Sequence, residues 1–406
     1  MKIIHTSDWH LGQHFFRFDR NDEHRFFIDQ LCDIVKNRQP DALLVSGDIF
    51  DNVAPTAPTQ KLFVESILTL HDACKEMVIV VTAGNHDSGP RLEVTKQLWQ
   101  QFGVHLYGSC LRNEDGTFNP AQYVLKIKDC GFIIAAPYFH SSNYPALQTG
   151  IEREQRKQSF YQALIDEAQR QNTSQLPIVM MAHLAVSGSD VRGHDERLIG
   201  DMDQEPLSAL GHGYDYLALG HMHKPQTLNH SNQSARYSGS PIPLSFTEDY
   251  EHSVSYIEIP AHQTPPTIES IPILPLRKVK TIPENGENLE TALKALSQVD
   301  DTDNSYIRLL IDQEGILPAD AEHRANAITQ EKQCRFCEIR KVIHQPKDMD
   351  QGRYKTLNVE ELKEVPPLDI AAQHYKHTQG CDLNEELTKL MRQAIEEVAK
   401  EETQHS

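Results

Sequence analysis

No stretch of this 406-residue chain approaches the roughly 18 consecutive apolar residues that a membrane span needs; its apolar runs are strand-length. The start, Met1-Lys2-Ile3-Ile4-His5, has no basic region leading into an apolar core and a small-residue cleavage site. No secretory signal is expected, and the expected location is cytoplasmic. Cysteine is sparse: seven residues, at 32, 74, 110, 130, 334, 337 and 381, fall in expected helix and strand interiors. An odd, scattered set argues for reduced thiols and against a disulfide framework. Cys334 and Cys337 form a CxxC, but no second pair accompanies it, and the run Cys334-Arg335-Phe336-Cys337-Glu338-Ile339 reads as a strand. A Gly-x-x-x-x-Gly-Lys-Ser/Thr loop is missing, so ATP must be handled elsewhere if it is used. Positive charge is also short: 39 Lys and Arg against 58 Asp and Glu leave −19. That counts against a simple nucleic-acid module, whose nonspecific affinity comes from cations neutralising phosphates. It leaves open an enzyme that meets phosphate through bound metal, because divalent cations invert the electrostatics of an acidic site.

What is present first is alternation of strand and helix, in a chain long enough for two or three domains. Strands are expected at 3–6, 42–45 and 78–82, and helices at 22–36, 59–74 and 91–102. This βαβαβ order implies a parallel sheet covered by helices, with ligands beyond the carboxyl ends of the strands. From 104 to about 271 the pattern turns strand-rich (123–127, 132–137, 178–183, 216–220, 236–238 and 253–259), with one helix over 152–171. Pro260, Pro265, Pro266, Pro272 and Pro275 crowd one stretch, which marks the end of a first domain at 275. A smaller α+β unit is expected over 276–345, with helices near 289–296 and 319–332 and strands at 306–311 and up to about 343. Residues 346–406 then form a linker and a C-terminal segment. Asp382 and Glu385 make an N-terminal cap, and Leu383, Leu387, Leu390, Met391, Ala394 and Val398 share one helical face. By composition alone that helix docks on its own chain.

Five short pieces carry chemistry: Asp8-Trp9-His10, Gly47-Asp48-Ile49-Phe50-Asp51, Gly84-Asn85-His86-Asp87, Ala182-His183 and Gly220-His221-Met222-His223. Each puts an oxygen or imidazole donor just after an apolar strand. Taken singly they are weak, since Asp8 to His10 could cap a strand and a lone His183 is more often a core histidine; His221-x-His223 is stronger, because alternate residues point to one side. All five in order, each at a strand end, point to a metal site. Aspartate, asparagine and histidine without thiolate suit Mn, Fe or Zn, with Mn2+ preferred here. A carboxylate bridging two divalent metal ions holds them roughly 3.5 to 4 Å apart, a clamp for in-line displacement at phosphorus.

The set D-x-H, G-D-x-x-D, G-N-H-D, H and G-H-x-H resembles the calcineurin-like metallophosphoesterases over about residues 1–250. His5 to Gly12 and Tyr237 to Phe246 are similar, more narrowly, to the nuclease subunits that work with an SbcC-type SMC-like ATPase. The resemblance implies a two-sheet metallophosphoesterase sandwich flanked by helices, followed by a capping domain that shapes DNA access. It implies one metal held by Asp8, His10, Asp48 and His223 and another by Asp48, Asn85, His183 and His221, with Asp48 bridging. It further implies double-strand exonuclease and single-strand or hairpin endonuclease activity through two-metal-activated water, in DNA repair, recombination and replication. The partners implied are DNA, the ATPase and a second copy of the chain, as a homodimer within a heterotetramer; the 382–400 helix becomes the site for the ATPase. His86 is left over from the ligand set and is expected to stabilise or protonate the leaving oxygen, with Asp87 orienting its ring. Relatives outside bacteria carry histidine at the position of Asp51, so no role transfers there. A phosphomonoesterase or cyclic-nucleotide phosphodiesterase would share every ligand, and a non-catalytic clamp subunit would need none of them. Arg17, Phe18, Arg20 and Arg25 could touch a DNA backbone, but Asp19, Asp22 and Glu23 among them favour a solvated loop.

Overall fold

The computed structural model describes residues 1–342 except 116, 141–143, 146–152, 194–203 and 231–232, and beyond them 368–369, 372, 375, 387–393 and 395. It divides into two compact units, Met1–Val342 and Ile343–Ser406.

Within the first unit the chain runs β1 (Lys2–Thr6), a hairpin of β2 (His14–Phe15) and β3 (Phe18–Asp19), α1 (Asn21–Arg38), β4 (Ala42–Ser46), α2 (Ala57–Ala73) and β5 (Val78–Thr82). Two short helices, α3 (Gly89–Leu92) and α4 (Lys96–Gln100), lead to β6 (Val104–Tyr107). Then follow β7 (Val124–Ile127), β8 (Gly131–Ala135), α5 (Arg153–Gln171), β9 (Ile178–His183), β10 (Tyr216–Gly220), β11 (Gln226–His230), β12 (Gln233–Tyr237), β13 (Ser253–Glu258) and β14 (Thr267–Pro272). Last come β15 (Val279–Glu287), α6 (Leu289–Ser297), β16 (Tyr306–Ile311), α7 (Ala321–Thr329) and β17 (Arg335–Lys341).

Two six-stranded sheets, ordered β14-β13-β1-β4-β5-β6 and β11-β12-β10-β9-β8-β7, make the expected sandwich. β1, β4, β5 and β6 are parallel, as are β8, β9, β10 and β12. The central strands read as unbroken apolar runs because both faces are covered. Ile3, Leu44 and Val80 join the core between the sheets, while Ile4, Leu43, Val45, Ile79 and Val81 alternate with them into the core under α1 and α2. A smaller parallel sheet, β15-β16-β17, packs on α6 and α7 around its own core of Leu289, Leu293, Leu296, Ile307, Leu309 and Phe336.

The expected helix over 91–102 is broken. Glu93 Oε1 accepts the Gly108 N–H at 3.2 Å, and a 3-10 turn over Glu93–Thr95 separates α3 from α4. Within the proline-rich stretch β14 runs as an edge strand, where a missing N–H costs no ladder bond. Cys334 and Cys337 are free and buried beside and in β17, and burial pushes the Cys337 thiol up to about 12, so this CxxC is packing. Among the described residues no helix is long and apolar enough to cross a membrane. Of the expected 382–400 helix, 387–393 and 395 are described and helical; the remainder lies outside the described residues.

Candidate metal centre

Every expected ligand sits at or just past the carboxyl end of a strand: Asp8 and His10 after β1, Asp48 after β4, Asn85 after β5, His183 closing β9, His221 and His223 after β10. β1, β4 and β5 are neighbours in one sheet and β9 and β10 in the other, so the site straddles the mouth of the sandwich. The sheets approach very closely there. A Cβ on Gly220 would stand 1.7 Å from the Ser46 carbonyl oxygen, and one on Gly47, at φ +84°, would stand 2.1 Å from His183 Nδ1. Only glycine fits either place. Asp8, His10, Asp48 and His221 themselves hold positive φ (52°, 46°, 50° and 101°), uncommon for non-glycine residues and held here by the surrounding bonds. Asp8 N donates to Gly47 O, His10 N to Asp48 O and His221 N to Asp8 Oδ1, each at 3.0 Å.

The ligating atoms gather into three overlapping groups, each within 4.8 Å: Asp8, His10 and His223; His10, Asp48 and His86; Asp48, His183 and His221. Asn85 joins the third, its Oδ1 lying 2.9 Å from both His183 Nε2 and His221 Nδ1. His10 is common to the first two groups and Asp48 to the last two, so the three run into one another. His183 Nδ1 donates to Ser46 O at 2.9 Å, which in a neutral ring leaves Nε2 as a bare lone pair. That lone pair faces Asn85 Oδ1 and, at 3.3 Å, Asp48 Oδ2. His10 Nε2 is buried with no hydrogen-bond partner, 3.7 Å from Asp48 Oδ2. Lone pairs turned on one another in a buried place call for a proton or a cation. With oxygen and imidazole donors and no thiolate, the residues fit a pair of divalent metals.

Charge at the site is arranged accordingly. Burial of itself would depress His183, but the Asp48 and Asp8 carboxylates outweigh it and hold this imidazole up to about 9. His10 is likewise raised, burial being overcome by Asp51, Asp48 and Asp8. Asp48 stays well below the usual carboxylate range, since His183 and His10 outweigh its burial. Burial pushes Asp8 upward, with the Asp48 charge adding to it. His223 drops to about 4, through burial and the neighbouring His10.

Three expectations change. Asp87 does not orient His86: its buried carboxylate accepts the N–H groups of Gly84 (2.8 Å), Phe50 (2.9 Å) and Ile49 (3.1 Å), splicing the loop after β5 to the loop after β4. His86 Nδ1 instead donates to the Asp51 carbonyl at 2.9 Å, leaving Nε2 for the site, while its N–H donates to Asp48 Oδ1. Asp51 thus acts through its backbone on His86, and its carboxylate lies 3.4 Å from His10 Nδ1. The arginine loop is solvated only in part: Arg17, Asp19, Asp22 and Arg25 are exposed, while Arg20 and Glu23 are buried. Arg17 donates to Asn326 Oδ1 and to the Phe336 carbonyl, and fully buried Arg20 donates to Glu23, Gln13 and the Pro243 carbonyl. Tyr306 OH donates to the same Glu23 at 2.5 Å, so this loop anchors the three-stranded sheet. Sequence reasoning missed Glu248. Its buried carboxyl, raised by burial, lies 3.5 Å from His223 Nδ1, and an isolated Glu in a loop carries no signal that could have found it.

The calcineurin-like phosphoesterase family model matches residues 1–225. SbcD of Rhodobacter capsulatus, a subunit of the nuclease SbcCD, is 32% identical over 299 residues, covering 70% of this chain and 73% of that one. The Bacillus subtilis counterpart is 32% identical over 267 residues (64% and 66%), and that of Escherichia coli K12 is 30% identical over 275 (63% and 65%). The match spans just under two thirds of the latter two proteins.

Proposed function

This chain belongs to the calcineurin-like phosphoesterases, within them to the SbcD family of SbcCD nuclease subunits, and from that premise we propose that it is the metal-dependent nuclease subunit of an SbcCD complex. The observation that carries the reading is the convergence of Asp8, His10, Asp48, Asn85, His183, His221 and His223 at one sandwich mouth, with His10 and Asp48 linking the overlapping groups. On this reading Asp8, His10, Asp48 and His223 hold one divalent ion and Asp48, Asn85, His183 and His221 the other, Mn2+ being the preferred ion. When bound, the pair supplies Lewis-acid clamping of a phosphodiester and a water acidified towards neutrality.

The remaining steps fall to the chain. The Ser46 carbonyl holds the His183 ring through Nδ1, and Ser7, through its hydroxyl to Asp8 Oδ2 at 2.6 Å, fixes the Asp8 carboxylate. His86, with Nδ1 tied to Asp51, offers Nε2 to the leaving oxygen, where it stabilises or delivers a proton. No side-chain nucleophile is required. Residues 276–345 act as the capping domain over 1–275, and 346–406 as linker and binding segment for an SbcC-type SMC-like ATPase. A second copy of the chain completes the assembly as a homodimer within a heterotetramer. The location that goes with DNA repair, recombination and replication is cytoplasmic.

Digestion of an end-labelled linear duplex with Mn2+, with and without the ATPase partner and ATP, tests this, with Asp48→Ala as control. Cleavage that disappears in the variant supports the nuclease. Brisk hydrolysis of a small chromogenic monoester with no DNA cleavage would leave the metal centre standing and overturn the SbcCD assignment.

A further inference from the structure

Beside His223 lies a buried polar nest formed by Ser240, Glu248 and His252, residues outside the five motifs. Glu248 sits there with its side chain fully buried. Its Oε1 lies 3.5 Å from His223 Nδ1, and its Oε2 accepts the Ser240 hydroxyl at 3.3 Å and lies 3.7 Å from His252 Nε2. Gly193 covers the nest so closely that a Cβ there would stand 2.3 Å from Tyr250 Oη and 2.9 Å from Glu248 Cγ.

The hydrogen bonds decide which imidazole can serve the carboxylate. His252 Nδ1 donates to the Ser240 carbonyl at 2.8 Å, so the neutral ring has no proton on Nε2 to give Glu248. His223 instead turns Nδ1 itself towards Glu248 Oε1. A proton on that nitrogen, held by Glu248, leaves Nε2 as the lone pair for the Asp8, His10 and His223 group. Ser240 also fixes the chain behind the ring, its N–H donating to the His223 carbonyl at 2.9 Å. Burying a carboxylate is costly unless donors meet it; the Ser240 hydroxyl, the Leu244 N–H and the Tyr250 hydroxyl face Glu248, and the His223 ring, which needs an acceptor to set its tautomer, is placed to be a further donor at Oε1.

We propose that Glu248 is a positioning residue for metal binding: its carboxylate accepts the His223 Nδ1 proton, fixes the tautomer and aim of that ring, and strengthens only the metal site to which His223 contributes. The proposal rests on the two-metal reading above and deepens it.

Titration calorimetry of the metal-free full chain with MnCl2 tests it in four proteins: wild type, Glu248→Gln, His223→Ala and the double variant. The expected result is two Mn2+ bound by wild type, and one of the two sites weakened by about 10- to 100-fold in Glu248→Gln. The double variant should bind no more weakly than His223→Ala, because Glu248 acts through that ring. Glu248→Asp, which keeps a carboxylate one methylene short, carries the same cycle if the glutamine variant does not fold. Two sites of unchanged affinity in Glu248→Gln overturn the proposal. So does a loss on substituting Glu248 that persists in full without His223. Wild type that takes up no Mn2+ overturns the two-metal reading along with it.

Discussion

Stripped of metal, this protein should lose stability as pH rises from 6.5 to 9, opposite in sign to the effect of the buried His5 and His24. His183 is fully buried, and its imidazole is raised from 6.5 to about 9 by the Asp48 and Asp8 carboxylates acting against burial. Below pH 6.5 the ring is protonated in folded and unfolded chains alike, and the folded preference is fully present. Above about 9 it is neutral in both, and the preference is gone. A rise of about 2.5 in pKa, at about 1.4 kcal/mol each, makes the loss roughly 3 kcal/mol across that window. His10, raised for the same reason, adds with the same sign. His5 and His24, lowered to about 3 by burial and by a nearby arginine, act on the other side. The unfolded chain takes up their protons below 6.5 while the folded chain does not, so stability falls again towards acid. The metal-free protein should therefore be most stable near pH 6.5. Loading the site should remove the alkaline arm, because a cation then replaces the proton on His183. Urea unfolding of chelator-treated and reloaded protein across this range measures it. A metal-free urea midpoint that does not move between pH 6.5 and 9 would refute the reasoning. Imidazole resonances showing His183 neutral well below pH 9 would do so independently.

Asp87→Ala should strand the N–H groups of Gly84, Ile49 and Phe50, costing about 3 kcal/mol or more in urea unfolding and weakening metal uptake by loosening two ligand loops. An alanine with wild-type stability would mean that water replaces all three bonds. Gly220→Ala pushes a methyl to within 1.7 Å of the Ser46 oxygen; a loss of at least about 2 kcal/mol is expected, with weakened Mn2+ binding, because Ser46 also holds His183. Calorimetry showing intact metal binding would place the sheet approach differently. His86→Ala should leave Mn2+ affinity near wild type while lowering the DNA cleavage rate by about 10²- to 10⁴-fold. Unchanged turnover at full metal occupancy removes His86 from the chemistry.

The ligand residues were legible because each follows an apolar strand, and a parallel sheet gathers such loops at one edge. Asp8, Asp48 and Asn85 could be placed together from the βαβαβ order alone. His183 and the His221 and His223 pair belong to the other sheet; their place at strand ends joined them to the first three, and the family resemblance divided the set between two metals. Asp87 was misread because proximity in sequence to His86 suggested a side-chain contact, whereas three backbone donors from two loops claimed the carboxylate. The arginines at 17 and 20 looked solvated among acids, yet their partners Asn326, Phe336 and Pro243 lie hundreds of residues away. Glu248 was invisible for a different reason: its partners Ser240, His252 and His223 lie within 25 residues, but an isolated glutamate in a loop carries no pattern.

By itself, then, the amino-acid order determined which donor atoms exist, that they are oxygen and imidazole with no thiolate, and that the strand ends present them. Only the tertiary structure decided which nitrogen of each ring faces the site. A tautomer is set by whatever accepts the other proton, and those acceptors are not neighbours in the chain: Ser46 O reaches His183 through the closure of the two sheets, and Asp51 O reaches His86 because β4 and β5 lie side by side.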